Sequence, residues 1–215
     1  MDDLARTLII VGLFVVMCII YFLYSRFKKP LSDIEIIKGN NLVKEKKYDA
    51  AVVRYEKAIK LGKYKKSSKM TALNNICFCY IEQELFDKAE ISARECMSLS
   101  STDSMSRLLY GKILYSTKRY DLAVKHYNEF IEKWPKNASA YSMQALCYAR
   151  LGLATEANIS VNEAIKNKYD GAIELRKEVK KILKESKSHI EMHGLAKDDN
   201  KTTDEIIIDF DKDND

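Results

Sequence analysis

The sequence predicts an all-α protein made of repeated helix pairs that follow an apolar N-terminal helix. Three observations support this prediction. A self-similar unit of about 34 residues recurs along the middle of the chain, a period that is typical of helical solenoids. The 215 residues include only 7 glycines and 2 prolines, which suits long helices with short connections. A long stretch without charge lies near the N-terminus and has the length of a membrane span.

The repeat is anchored by four alanines, Ala51, Ala89, Ala123 and Ala157. The second and third intervals between them equal the repeat unit, whereas the first is longer, which places one four-residue insertion in Lys63–Lys69. Small and apolar residues recur at fixed offsets from each alanine. Each repeat has a small residue in its first helix and a partner position in its second helix. From the first repeat to the fourth, these pairs are Gly39 and Tyr55, Cys77 and Ala93, Gly111 and Tyr127, and Ala145 and Val161. A small residue lets a neighbouring helix approach closely, so each copy is predicted to be two packed helices.

This pattern resembles the tetratricopeptide repeat (TPR) family. The third copy keeps the family's closing proline as Pro135, whereas the fourth has Ala154 in place of the aromatic residue that opens the second helix. The resemblance implies repeats at about 33–66, 70–103, 104–137 and 138–169, and a capping helix at 170–193. The capping helix is predicted to bury the stripe Ile173, Val179, Ile182 and Leu183.

The N-terminal segment predicts a single membrane-spanning helix at 7–25, after a short tail at 1–6. Its uncharged run extends about 28 Å as a helix, close to the hydrocarbon thickness of a bilayer. A cleaved signal peptide is disfavoured because no basic region precedes the apolar run. The basic linker 26–32 follows this span. Under the positive-inside rule its charges favour a cytoplasmic location of the repeat domain, and a periplasmic or lumenal location is the alternative. Ser32 or Asp33 is the predicted N-cap of the first repeat helix.

Charge is distributed unevenly along the chain. Residues 26–69 contain 14 Lys and Arg against 5 Asp and Glu, whereas 197–215 contain 3 Lys against 8 Asp and Glu. The basic region lies close enough to the predicted span to meet anionic lipid headgroups, although an ordinary solvated helical face explains it as well. The acidic segment 194–215 is expected to be disordered.

Catalytic, cofactor, metal and nucleic-acid sites find no support in the sequence. Cys77 and Cys96 occupy small-residue core positions of the second repeat, which fits free buried thiols. His189 and His193 lie one helical turn apart, but the glutamate that a zinc-protease motif needs directly after the first histidine is replaced by Ile190. We therefore expect no enzyme activity, no cofactor and no nucleic-acid partner.

The resemblance implies a concave groove, lined by the first helices of the repeats, that binds a protein or peptide. The predicted groove residues are Ile36, Asn40, Asn75, Phe78, Leu109, Lys112, Tyr115, Met143 and Arg150. Some family members grip acidic chaperone C-termini with a clamp of two Lys, two Asn and one Arg. Asn40 and Asn75 match that clamp, but Ile36, Met105 and Leu109 stand where its cations should be. A mostly apolar groove instead favours an amphipathic helix or an extended apolar peptide.

These features predict a membrane-anchored adaptor or scaffold that recruits partner proteins. The alternative is a structural subunit of a large membrane-associated assembly, such as an envelope, secretion or flagellar-type machine. The sequence leaves the partner, the membrane and the oligomeric state open.

Overall fold

A computed structural model describes residues 10–21, 30–63 and 65–192, and the regular secondary structure of those residues is entirely helical. The described helices, in chain order, are α1 (10–21), α2 (Leu31–Lys44), α3 (Tyr48–Leu61), α4 (Lys66–Glu82), α5 (Phe86–Leu99), α6 (Ser104–Ser116), α7 (Tyr120–Lys133), α8 (Ala138–Arg150), α9 (Ala154–Lys166) and α10 (Ala172–Met192). The chain divides into two compact units, Met1–Ala72 (unit 1) and Leu73–Asp215 (unit 2). The predicted all-α helical-repeat architecture is confirmed.

The close approach of the paired helices depends on glycines that face tyrosine rings. A Cβ atom on Gly39 would lie 2.4 Å from Cε1 of Tyr55 in unit 1, and one on Gly111 would lie 2.4 Å from Cζ of Tyr127 in unit 2. Both tyrosines are buried, so neither ring has free space to move into. Where the second helix carries a smaller side chain, the first carries a larger one: Ala145 shares a core cluster with Val161. In the fourth repeat a larger residue on the first helix is thus accompanied by a smaller one on the second.

The turns inside the four repeats share one backbone conformation. Lys46, Glu84, Lys118 and Gly152 occupy equivalent positions and all have positive φ, between 57° and 75°. In each turn the next N–H donates back to a carbonyl of the preceding helix, as in Arg119 N–H to Leu114 O at 2.8 Å. Glycine is the usual residue here because a side chain disfavours the left-handed region. Three of the four repeats nevertheless place a long charged residue there.

The start of the first repeat differs from the predicted capping. Helix α2 begins at Leu31, two or three residues earlier than expected, and its N-cap is Pro30, which makes no side-chain capping bond. Asp33 lies in the first turn, and its carboxylate accepts from Ser68 at 2.9 Å and from Lys65 at 3.0 Å. The prediction of Ser32 or Asp33 as the cap is therefore wrong, because Asp33 bonds to groups 32 and 35 residues away.

The inserted residues lengthen a helix. Helix α4 has 17 residues and α6 has 13, and the extra turn lies at the N-terminal end of α4 in the repeat frame. This places the insertion inside the predicted Lys63–Lys69 segment.

Helix α10 packs against α8 and α9 and closes the core of unit 2. Val179, Ile182 and Leu183 are buried as predicted, but Ile173 is 59% exposed and Leu175 takes its place. Leu175 lies four residues before Val179, so it falls on the buried face, whereas Ile173 lies on another side of the helix. The described part of α10 thus has the predicted capping role, with its stripe shifted at the start.

Residues 10–21 of the predicted 7–25 span are described, and they form a helix whose apolar side chains are all exposed. The other residues of that segment, the linker before Pro30, His193 and the acidic tail 194–215 lie outside the described residues. Within the described ranges, none of the helices combines the length and hydropathy that a bilayer crossing requires.

Candidate partner-binding face

The predicted groove residues fall in both units. Ile36 and Asn40 lie on α2 of unit 1, and the other seven lie on α4, α6 and α8 of unit 2. Within unit 2, two sets of contacts join successive first helices through side chains that stay partly exposed. We call the residues of these contacts the bridged face; its members are Phe78, Glu82, Lys112, Tyr115, Arg150 and Glu185.

The first bridge joins α4 to α6. Lys112 Nζ lies 3.2 Å from a carboxylate oxygen of Glu82 and 5.7 Å from the ring centroid of Phe78. The ammonium group is thus held between an anion and an aromatic face, both of which attract it. Because the lysine and glutamate side chains are about one-third exposed, the pair is open to a ligand and contributes little to stability by itself.

The second bridge joins α6, α8 and α10. Arg150 Nε donates to the Tyr115 hydroxyl at 3.5 Å, and its guanidinium lies 3.6 Å from Glu185. Burial raises the pKa of the Tyr115 phenol above its ordinary value, so this group stays protonated at neutral pH. Tyr115 also packs against Tyr120, with ring centroids 5.5 Å apart. Each bridge therefore combines an aromatic ring, a cation and a carboxylate.

Leu109 and Met143 have packing roles in unit 2. Leu109 is 8% exposed and belongs to the core cluster around Cys77 and Ile113, so it presents almost no surface to a ligand. Met143 is half-buried and packs against the cores on both sides of α8. Asn75 is half-buried on α4. The accessible predicted residues of unit 2 thus include aromatic and charged side chains beside the polar Asn75 and the apolar Met143.

The two unit 1 residues have different surroundings. Ile36 lines a cleft of about 400 Å³ together with Ile37, Lys65 and Thr71. Asn40 accepts a hydrogen bond of 2.8 Å from the Tyr55 hydroxyl, so its amide oxygen anchors the ring that faces Gly39. Asn40 therefore has a structural partner within its own repeat.

The chaperone-tail clamp is not built in unit 2. Met105 is exposed and Leu109 is buried, so neither of these clamp positions offers a cation to a terminal carboxylate. The cations of the bridged face are already paired with Glu82 and Glu185. These placements agree with the sequence-based argument against a carboxylate clamp.

Two polar clusters leave no recognisable pattern in the sequence. Glu35 on α2 is buried in unit 1 and meets Lys38, Arg54 and Lys57. Asp103 caps α6 by accepting from Ser106 N–H at 2.8 Å and also binds Asn74 at 3.1 Å. Two of the three partners of Glu35 lie on the next helix, α3, so no local spacing rule reveals them.

The four cysteines of the repeats are structural. Cys77, Cys79, Cys96 and Cys147 are buried and, among the described residues, form no disulfide, as predicted for Cys77 and Cys96. Burial raises the pKa values of Cys77, Cys96 and Cys147 to about 12, so these thiols are unreactive at neutral pH. Within the described ranges no cluster of His, Cys, Asp and Glu could hold a metal ion.

Comparison with solved structures shows the fold. A TPR protein of Thermus thermophilus superposes with a TM-score of 0.61 at 15% identity, covering 84% of this chain and 97% of that one. YrrB, a TPR protein with an unusual peptide-binding site, superposes with a TM-score of 0.55 at 17% identity, and the superposition covers 90% of this chain and 93% of YrrB. The fold is therefore that of TPR proteins.

Curated relatives share the repeat region. The Hsp70-Hsp90 organizing protein 1 of Glycine max is 28% identical over 137 residues, which are 64% of this chain and 23% of that protein. The peptidyl-prolyl cis-trans isomerase FKBP4 of Mus musculus is 25% identical over 151 residues, 64% of this chain and 33% of that protein. The chain thus matches 23% to 33% of these relatives' lengths. No protein-family model matches it. Together these likenesses support a TPR family.

Proposed function

We propose that this chain is a TPR adaptor, without catalytic activity, that recruits a protein partner to a membrane through the bridged face. The observation that carries the proposal is the pair of aromatic–cation–carboxylate bridges across α4, α6, α8 and α10. Such side chains provide apolar contact area and charged hydrogen-bond donors at one surface, which suits an amphipathic helix or an extended peptide. Among known proteins of this fold, YrrB has a peptide-binding site.

The partner class follows from the same chemistry. Apolar side chains of the ligand would pack on Phe78 and Tyr115, and its acidic groups would compete with Glu82 and Glu185 for Lys112 and Arg150. One of the curated relatives is named for Hsp70 and Hsp90, so a chaperone is the first partner to test. Because the clamp cations are absent, we expect a contact that does not depend on a free C-terminal carboxylate.

Membrane attachment is the second part of the proposal. The apolar residues of α1 are all exposed, and they lie within the uncharged segment 7–25. Exposing this much apolar surface to water is unfavourable, whereas burying it in lipid is favourable. We propose a single-pass anchor at 7–25 with the repeats on the cytoplasmic side; protease accessibility of the repeats in sealed vesicles of known orientation tests both statements.

The recruitment test compares partner recovery between full-length variants purified from native membranes. Phe78→Ala combined with Tyr115→Ala removes both aromatic rings of the bridged face, and we expect loss of one soluble partner. The matched control is Ile91→Ala combined with Ile159→Ala, on α5 and α9, which removes exposed apolar side chains from the second helices. Leu109 is unsuitable for this test because its truncation would leave a cavity in the core.

A structural role in a large membrane-associated assembly is the second candidate. It is favoured by the exposed apolar residues of the second helices, Ile91 and Leu122 and Ile159, each more than half exposed. If the Ile91 and Ile159 substitutions release the chain from a large complex while the bridged-face substitutions do not, the structural role replaces recruitment.

A further inference from the structure

A single buried carboxylate in unit 1 gathers three cations. Glu35 has a side-chain exposure of 6%, and its two oxygens lie 2.9 Å from Lys38 Nζ, 3.3 Å from Arg54 Nη1 and 3.6 Å from Lys57 Nζ. The three cationic side chains are 42–54% exposed. The buried Glu35 carboxylate therefore holds the three cationic side chains together, and these side chains remain partly exposed to solvent. We call these four residues the Glu35 cluster.

The positive charge of the Glu35 cluster exceeds the negative charge of its single carboxylate. One carboxylate and three cations leave a formal charge of +2. Cations held around a common anion repel one another, so the arrangement has a cost that a second anion would remove. A phosphate monoester carries about −1.5 to −2 at neutral pH, which matches this excess. Arginine and lysine side chains are the usual binders of phosphate.

The source of the phosphate follows from the position of the cluster in the chain. Only nine residues separate the end of the described α1, at residue 21, from the start of α2 at Leu31. A chain of ten peptide steps reaches at most about 35 Å. If α1 lies in a bilayer, α2 and its cations are held beside the headgroups. Residues 26–69 also carry 14 Lys and Arg against 5 Asp and Glu, so the whole region favours an anionic surface.

We propose that Lys38, Arg54 and Lys57, held together by Glu35, form a binding site for an anionic lipid headgroup that bears a phosphate monoester. The site rests on the proposed membrane anchor. It goes further, because it assigns named side chains and a ligand chemistry that an unspecific basic surface does not have. A membrane-bound headgroup at this cluster would fix unit 1 in one orientation on the lipid surface.

The test measures acetylation rates of individual lysines by mass spectrometry, with the full-length chain in lipid nanodiscs. One set of discs contains phosphatidylcholine alone, and the other contains in addition phosphatidic acid, a phosphate monoester. A bound phosphate raises the pKa of a lysine, and a rise of half a unit lowers the reactive free-amine fraction about threefold. We expect acetylation of Lys38 and Lys57 to slow about threefold or more in the anionic discs.

Two internal controls separate the Glu35 cluster from a general charge effect. Lys60 is an exposed lysine on the same helix as Lys57, and Lys177 is an exposed lysine on α10. Because Lys60 also lies in the basic region 26–69, we expect it to slow only by the general surface charge and clearly less than Lys57, whereas Lys177 should keep its rate within a factor of about 1.5. Arg54→Gln should abolish the protection of Lys38 and Lys57, whereas Lys60→Gln should preserve it. Equal slowing of all four lysines would overturn the proposal, because it would show an unspecific field.

Further measurements identify the source of the phosphate and test the membrane anchor independently of the site. Protection by inorganic phosphate in phosphatidylcholine discs, without protection by phosphatidic acid, would overturn a lipid as the ligand, and so would protection by a phosphopeptide alone. Co-elution with phosphatidylcholine discs tests the anchor by itself. A chain that enters both disc types without protection refutes the site alone. A chain that stays out of neutral discs but is protected by anionic ones supports the site and refutes the anchor, and failure in both refutes both.

Discussion

Gly111→Ala tests the packing rule on which each repeat depends. The new Cβ would lie 2.4 Å from Cζ and 2.6 Å from the hydroxyl oxygen of Tyr127, whereas ordinary carbon contacts are about 3.5–4.0 Å. The fully buried ring must shift by about 1 Å, and its 3.4 Å hydrogen bond to the Leu108 carbonyl is disturbed. Overpacking costs about 1–3 kcal/mol, and a contact this short against a fully buried ring belongs in the upper part of that range, about 2–3 kcal/mol. Alanine also gains about 1 kcal/mol of helix propensity over glycine, so we expect a net loss of about 1–2 kcal/mol.

The fourth repeat supplies the compensating change. There the equivalent pair is Ala145 and Val161, and both residues are fully buried. Tyr127→Val alone should cost about 3–4 kcal/mol through the cavity it leaves. Adding Gly111→Ala in that background should restore about 1 kcal/mol, because the alanine methyl group now has space and the helix propensity gain remains. The two substitutions should therefore couple by about 2–3 kcal/mol.

The chain carries its own probe for this experiment. Trp134 is the only tryptophan, and it packs in the same core cluster as Tyr127, with its ring centroid 4.7 Å from that of Phe130. Urea unfolding of the full-length variants in mild detergent, followed by Trp134 fluorescence, thus reports on the third repeat. Far-UV circular dichroism checks that each variant is helical before unfolding. A neutral or stabilising Gly111→Ala, or strictly additive effects of the two changes, would refute the reasoning.

Two further predictions concern polar groups of unit 2. Asp103→Ala should lower the stability of unit 2 by about 2–3 kcal/mol in the same assay, since the cap of α6 is lost and Asn74 loses its acceptor. The control Asn137→Ala removes a single capping bond to Ala140 and should cost about 1 kcal/mol. Equal losses of stability would contradict the role of Asp103 as the acceptor for Asn74. Hydrogen bonding from Arg119 lowers the pKa of Glu90, so its stabilising contribution is present above the unfolded pKa of about 4.3 and is lost as pH falls below that value. The urea midpoint should therefore drop between about pH 5 and pH 3, and Glu90→Gln should flatten that drop; an unchanged profile would exclude the contribution.

The sequence predicted the helices and their pairing well because both depend on local periodicity. Ala51, Ala89, Ala123 and Ala157 are all fully buried at the predicted helix–helix contacts. Residues at the helix ends were harder to predict. The sequence misplaces the cap of α2 because Asp33 bonds to Lys65 and Ser68, and it misplaces the apolar stripe of α10 at Ile173. In both places the outcome depends on which neighbouring helix lies nearby.

For the candidate site too, local periodicity predicts some properties and tertiary packing decides the others. Repeat position predicts four groove residues that lie in the bridges of the structure, Phe78, Lys112, Tyr115 and Arg150. Leu109 was selected by the same rule but is buried. Repeat position identifies the face of a helix and does not determine how deeply the next repeat covers each residue on that face. Exposure is therefore a property of the packed structure.

The sequence by itself determined the repeat register, the small residue on the first helix of each repeat and the segregation of charge, because helical periodicity and composition are local properties. Only the tertiary structure decided which charges meet. Glu35 and Arg54 are 19 residues apart and Glu82 and Lys112 are 30 apart, yet each pair is in contact. Ion pairs form wherever packing brings two side chains within about 4 Å, and that packing is set by the apolar core between the helices.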